Sequence, residues 1–111
     1  MTDLSHYNYQ ESSYVWYSDK AKKNHQKHKV SFEEAASVFH HPLAQTIADT
    51  LHSFNYERFI TVGWSNKQRI IIVVYREWND AINIISARRA TSGERKSYQA
   101  GDDRAFLFNR G

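Results

Sequence analysis

The stretch RIIIVVYRE, from Arg69 to Glu77, constrains the fold more than any other. It is apolar at six consecutive positions, Ile70 to Tyr75, and rich in β-branched residues. Such a run reads as a strand covered on both faces. Two more runs flank it, RFITVGW (Arg58–Trp64) and AINIISAR (Ala81–Arg88). The segments SNKQ and WND separate the three at hairpin distances, so they predict an antiparallel meander. With turns of simple register, Arg58, Tyr75 and Arg88 fall on one sheet face. A one-residue slip would reverse that.

Helix signals lie on either side of the meander. Ser31 and Glu34 form an S-x-x-E capping box. Phe32, Ala35, Ala36 and Phe39 then recur on one helical face, and Pro42 stops a helix over Phe32–His40. Ser18 and Asp19 offer N-cap oxygens for a very polar helix over Lys20–Lys29. Thr91 and Glu94 make a second capping box, starting a short helix that runs to about Gln99. Tyr14–Tyr17 reads as a first strand and Leu43–Asp49 as a weak one. Residues 1–12 read as a flexible tail, 13–100 as one domain, and 101–111 as a C-terminal tail in which Phe106, Leu107 and Phe108 could dock.

A chain of 111 residues holds one modest core. It has no cysteine, which excludes disulfides, thiolate nucleophiles and thiolate metal sites. No apolar run is long enough to span a membrane, and the N-terminus lacks an apolar signal core, so a soluble cytoplasmic protein is expected. Net charge is +3, but the basic residues are clustered. Lys20 to Lys29 holds five lysines and two histidines with no acid, and Arg88 to Lys96 holds four basic residues against Glu94. Two such clusters point to an anionic partner, nucleic acid first, although a solvated face has the same composition. The second cluster sits at a strand-to-helix junction, where free N–H groups attract phosphate. Charge late in a short helix also complements the helix dipole.

Three pieces of the chain carry a family pattern: WYSDKAKKNHQKHKVSFEEAASVF, YERFITVGWSNKQRIIIVVYRE and INIISARRATSGERKSY. In this order, over roughly three quarters of the chain from Trp16 to Tyr98, they resemble the BrnT family of bacterial toxins, in the RelE-like group of small ribonucleases. The resemblance implies an α+β, RelE-like fold. Its twisted antiparallel sheet would comprise the meander plus an N-terminal strand, with two N-terminal helices and a short C-terminal helix. It implies a type II toxin that arrests growth by cutting RNA. It also implies a cognate BrnA-like, DNA-binding antitoxin, through which alone operator DNA is contacted, and no membrane role. Lys29 stands where the family has glycine, and Asn83 and Trp78 where it often has arginine.

Metal-free RNA cleavage needs a base for the 2′-hydroxyl, an acid for the leaving 5′-oxygen and cations around the phosphorane. The candidate catalytic residues are Lys27, His28, Glu57, Arg58, Tyr75 and Arg88. Arg76, Arg89 and Lys96 are candidates for substrate binding. No cofactor and no metal is expected, since the six histidines form no H-E-x-x-H pattern. A rival reading is a catalytically weakened nucleic-acid-binding or interaction module on the same fold. A partner face is expected on the meander, because so few helices leave apolar surface exposed.

Overall fold

In the computed structural model, which describes residues 3–101, the elements run β1 (Leu4–Tyr9), β2 (Ser12–Tyr17), α1 (Ser18–His28), α2 (Phe32–Val38), β3 (Gln45–Ala48), β4 (Phe59–Trp64), β5 (Ile70–Trp78), β6 (Ala81–Arg89) and α3 (Ser92–Gln99). Phe106, Leu107 and Phe108 lie outside the described residues. The apolar run forms β5, paired antiparallel with β4 on one side and β6 on the other.

The sheet is larger than the sequence suggests and is not purely antiparallel. Its six strands lie in the order β1-β2-β6-β5-β4-β3, and β2 pairs with β6 in parallel. The segment read as a tail is a strand instead. Leu4–Tyr9 pairs along its whole length with β2 through a two-residue turn at Gln10 and Glu11, both with positive φ (47° and 68°). A turn with two left-handed residues matches the twist of a tight hairpin. Tyr7 and Tyr9 then pack against the core, which holds the strand down.

One face of the sheet is covered by α1 and α2. Tyr14, Trp16, Ile71, Val73, Ile84 and Ala87 pack there against Val30, Phe32, Ala35, Ala36 and Val38. On the other face Ile60, Val62, Ile70 and Ile72 pack with Ala90 and with Tyr98 of α3. These meander residues are buried, so the expected exposed apolar face is not found on the described meander. The large exposed apolar side chains are Leu43, Leu51, Phe54 and Tyr56, the last three in the β3–β4 loop. No helix among the described residues is long and apolar enough to cross a membrane.

The helix starts show where sequence patterns divide. At α1 the cap position is Tyr17, which makes no side-chain cap, while the expected caps Ser18 and Asp19 lie inside the helix. Ser18 Oγ bonds Ser5 Oγ at 2.6 Å, tying the helix to β1. The helix closes at Lys29 with φ +59°, a left-handed conformation that favours glycine. At α2, Ser31 Oγ accepts from the Glu34 N–H, but Glu34 does not reach back to complete a box. Its buried carboxylate accepts from Ser65 Oγ at 2.7 Å and from Arg69 Nε at 2.9 Å, and forms an ion pair with Arg69 Nη2. That pairing keeps Arg69 in the β4–β5 loop rather than in the strand.

Candidate functional site

Register decides which arginines can meet. Trp78 opposes Ala81 across a two-residue turn at Asn79 and Asp80, both with positive φ. An unbroken register from that turn would set Arg88 opposite Ile71, on the face covered by α1 and α2. The register instead shifts between Val74 and Tyr75, with Ile85 as the extra residue of β6, and Arg88 opposes Ile72. A bulge of this kind re-aims every later side chain on its strand. Arg76 opposes Asn83, and Arg58, just before Phe59, lies opposite Arg76 by extension of the β4–β5 register. Arg58, Arg76 and Arg88 therefore share the face that carries α3.

Tyr75 does not join them. It lies on the other face, stacked on Phe59 at 5.5 Å and edge-on to Phe39 at 4.9 Å. Burial pushes its hydroxyl above the ordinary tyrosine value, against the lowering effect of Thr61 and Thr46. Its place is in the core. The simple register fails because Arg69 belongs to the loop, moving the β4–β5 pairing by one residue.

Arg58 and Arg88 line a shallow cleft of about 190 Å³ floored by Ile60, Ile72 and Val74. Its remaining lining residues, Asp49 and His52, were absent from the sequence candidates. His52 Nδ1 lies 3.0 and 3.1 Å from the two carboxylate oxygens of buried Asp49. A carboxylate at Nδ1 accepts from that N–H and leaves Nε2 as the ring nitrogen free to exchange a proton. Asp49 is itself fixed, since its N–H donates to the Arg58 carbonyl at 2.7 Å. In the sequence Asp49 ends the segment read as a weak strand and His52 lies in the polar stretch after it, so only the D-x-x-H spacing hints at a pair. Among the described residues Arg58 Nε is buried with no hydrogen-bond partner, and Arg58 lines the cleft.

Arg88 is more constrained. Nη1 and Nη2 donate to the two carboxylate oxygens of Glu94 at 2.8 and 3.0 Å. Glu94 completes the second capping box: it accepts from the Thr91 N–H at 2.8 Å, and its own N–H donates to Thr91 Oγ1. The anion expected at this helix start is thus the chain's own carboxylate, and Arg88 follows the strand because that buried carboxylate needs a cation. Arg88 Nη1 also donates to the Arg89 carbonyl at 3.4 Å, so three of its five N–H donors are committed and two are left for a ligand.

The remaining candidates divide by position. His28 is half-buried, and burial, then Lys27, then Arg88 hold it below the ordinary histidine value; it does not line the cleft of Arg58 and Arg88. Lys27, Glu57, Arg89 and Lys96 are exposed. Arg76 Nε donates to buried Asn83 at 2.7 Å, and its guanidinium lies between the rings of Tyr56 (4.4 Å) and Trp78 (4.9 Å). Asn83 also donates to the Val15 carbonyl, so it bridges β6 to β2.

The two N3 glutamates make stability acid-sensitive. Burial alone would raise both carboxyls, but hydrogen bonds from Arg69 and Ser65 at Glu34, and from Arg88 and Thr91 at Glu94, bring both below the ordinary glutamate value of 4.5. A depressed folded value stabilises above the unfolded one and is lost as pH falls through the folded one. The melting temperature followed by circular dichroism is therefore expected to hold down to about pH 4.5 and then to drop steeply. A melting temperature unchanged well below that pH would show that neither pair contributes.

Residues 16–94 match the model of the ribonuclease toxin BrnT of type II toxin–antitoxin systems. The chain belongs to the BrnT family. No curated protein matches it. The crystal structure of the Brucella abortus ribonuclease toxin BrnT superposes with a TM-score of 0.54, over 69% of this chain and 94% of that one, at 22% identity. That likeness supports the α+β fold. BrnT membership brings an RNA substrate and an antitoxin partner.

Proposed function

We propose that this member of the BrnT family is a metal-independent, cytoplasmic endoribonuclease on a RelE-like fold, neutralised by a cognate BrnA-like antitoxin that alone contacts operator DNA. The observation that carries the catalytic part is the Asp49–His52 pair in one cleft with Arg58 and Arg88. The guanidinium of Arg58 and the N–H groups of Arg88 that Glu94 and Arg89 leave free hold the phosphate and stabilise the charge that grows on it. His28, held neutral beside Arg88, accepts the proton of the 2′-hydroxyl. The 2′-oxygen attacks phosphorus, the bond to the 5′-oxygen breaks, and His52, entering the step as the imidazolium paired with Asp49, delivers its Nε2 proton to that oxygen. The products are a 2′,3′-cyclic phosphate and a 5′-hydroxyl. Lys27, Arg89 and Lys96 supply exposed charge along the strand, and Glu57 lies at the rim.

Antitoxin-free protein incubated with RNA in the presence of a chelator should still cleave it and leave 2′,3′-cyclic phosphate ends. Cleavage lost on chelation, or ends carrying 5′-phosphate, would overturn the mechanism.

A further inference from the structure

The face that carries the arginines continues past them. From Arg58 the opposed residues run Arg76, Asn83, Val15 and His6, crossing β5, β6, β2 and β1. At one strand spacing per step, His6 lies about 19 Å from Arg58. At that end is a second cleft, of about 350 Å³, between the β1–β2 hairpin and the β5–β6 turn. Its lining is two-sided in character. Leu4 and Val15 are apolar and Trp78 forms an aromatic wall, while His6, Asn8 and Ser13 provide a polar rim. Ser13 Oγ donates to Asn8 Oδ1 at 3.2 Å, which leaves the Asn8 amide hydrogens available.

Trp78 is held by its neighbours. The Arg76 guanidinium sits 4.9 Å from its ring, and Arg76 is fixed in turn by Asn83 and Tyr56. Tyr17 lies nearly parallel to the indole, at 27°, with centroids 6.5 Å apart. The indole also lines the cleft, so part of it faces the open space there. A preorganised aromatic wall, a polar rim and a row of arginines leading away from it fit a planar group with an apolar face, a hydrogen-bonding edge and an attached anionic backbone.

We infer that this cleft is a subsite for a nucleobase of single-stranded RNA, a few nucleotides away from the phosphate held at Arg58 and Arg88, with Arg76 contacting the backbone between. The inference rests on the ribonuclease reading for its substrate, but its test does not require cleavage. Fluorescence anisotropy with labelled 2′-O-methyl RNA, which lacks the attacking hydroxyl, reads binding alone. Stacking of one base supports a loss on the order of ten- to a hundredfold when the aromatic ring is removed. Trp78→Ala is expected to weaken binding of a long single-stranded oligonucleotide by that factor and to leave a dinucleotide unaffected. Trp78→Phe, which keeps a stacking face and controls for folding, should bind nearly as wild type. Trp78→Ala binding the long oligonucleotide as tightly as wild type overturns the subsite. So does an equal loss for the dinucleotide, or a loss confined to the antitoxin complex. Failure of the ribonuclease reading would show separately, as unmodified RNA left intact by the wild-type protein.

Discussion

Replacing Arg88 with alanine will cost about 3–5 kcal/mol of folding stability and abolish RNA cleavage in the same stroke. The stability loss follows from Glu94, whose side chain is fully buried and which faces both guanidinium nitrogens of Arg88. Truncating Arg88 leaves that carboxylate buried without its cation, the situation in which a buried pair is most costly to break. Against a total of about 5–15 kcal/mol for a domain, this is a large fraction. The catalytic loss has a separate origin, since removing one donor to a developing oxyanion costs about 2.7–4 kcal/mol of barrier, a hundredfold or more in rate. The double variant Arg88→Met, Glu94→Gln separates the two. Glutamine still accepts from the Thr91 N–H as a capping-box residue, and no charge is left buried. Urea unfolding should show stability largely restored in the double variant, with cleavage still absent. Cleavage returning with stability would make Arg88 a purely structural residue.

That pairing also shows what could be read from the sequence and what could not. The meander was legible because an unbroken β-branched run admits few other structures, and the α2 and α3 starts because Ser31 and Thr91 cap as their spacing predicts. The tertiary partners of the third box residue were not legible: Glu94 turns back to its own cap and to Arg88, whereas Glu34 goes to Arg69. Strand β1 was missed because its turn, Gln10–Glu11, lacks glycine and asparagine, although Tyr7 and Tyr9 alternate with polar residues as a half-buried strand requires. The grouping of Arg58 with Arg88 depended on parity. Two shifts of one residue, Arg69 leaving β5 and Ile85 bulging from β6, kept the arginines together and sent Tyr75 to the opposite face. Neither shift has a local signature. The Asp49–His52 pair was hidden for a related reason, since nothing in a polar loop says that its histidine will lie against the arginines of two distant strands.

His52 carries the other large expected effect. Its side chain is 51% exposed, and its side-chain bonds are those to Asp49. Removing it should leave stability within about 0.5 kcal/mol, the ordinary range for a surface substitution. If His52 moves a proton in the transition state, His52→Ala should lower single-turnover cleavage by about 10²–10⁴-fold. The loss should be larger for RNA with an ordinary 5′-oxygen leaving group than for an activated phosphodiester whose leaving group needs no proton. This difference separates a proton donor from a residue that merely shapes the cleft, for which both substrates would suffer alike. Asp49→Asn should fall between wild type and His52→Ala, because the imidazole stays in the cleft without a carboxylate to orient and stabilise its protonated form. His28→Ala should act on the opposite step and slow both substrates, since the 2′-hydroxyl must lose its proton whichever group leaves. Equal rates for His52→Ala and wild type on ordinary RNA would remove His52 from the chemistry and move the search for the acid to Lys27, in the last turn of α1 beside His28.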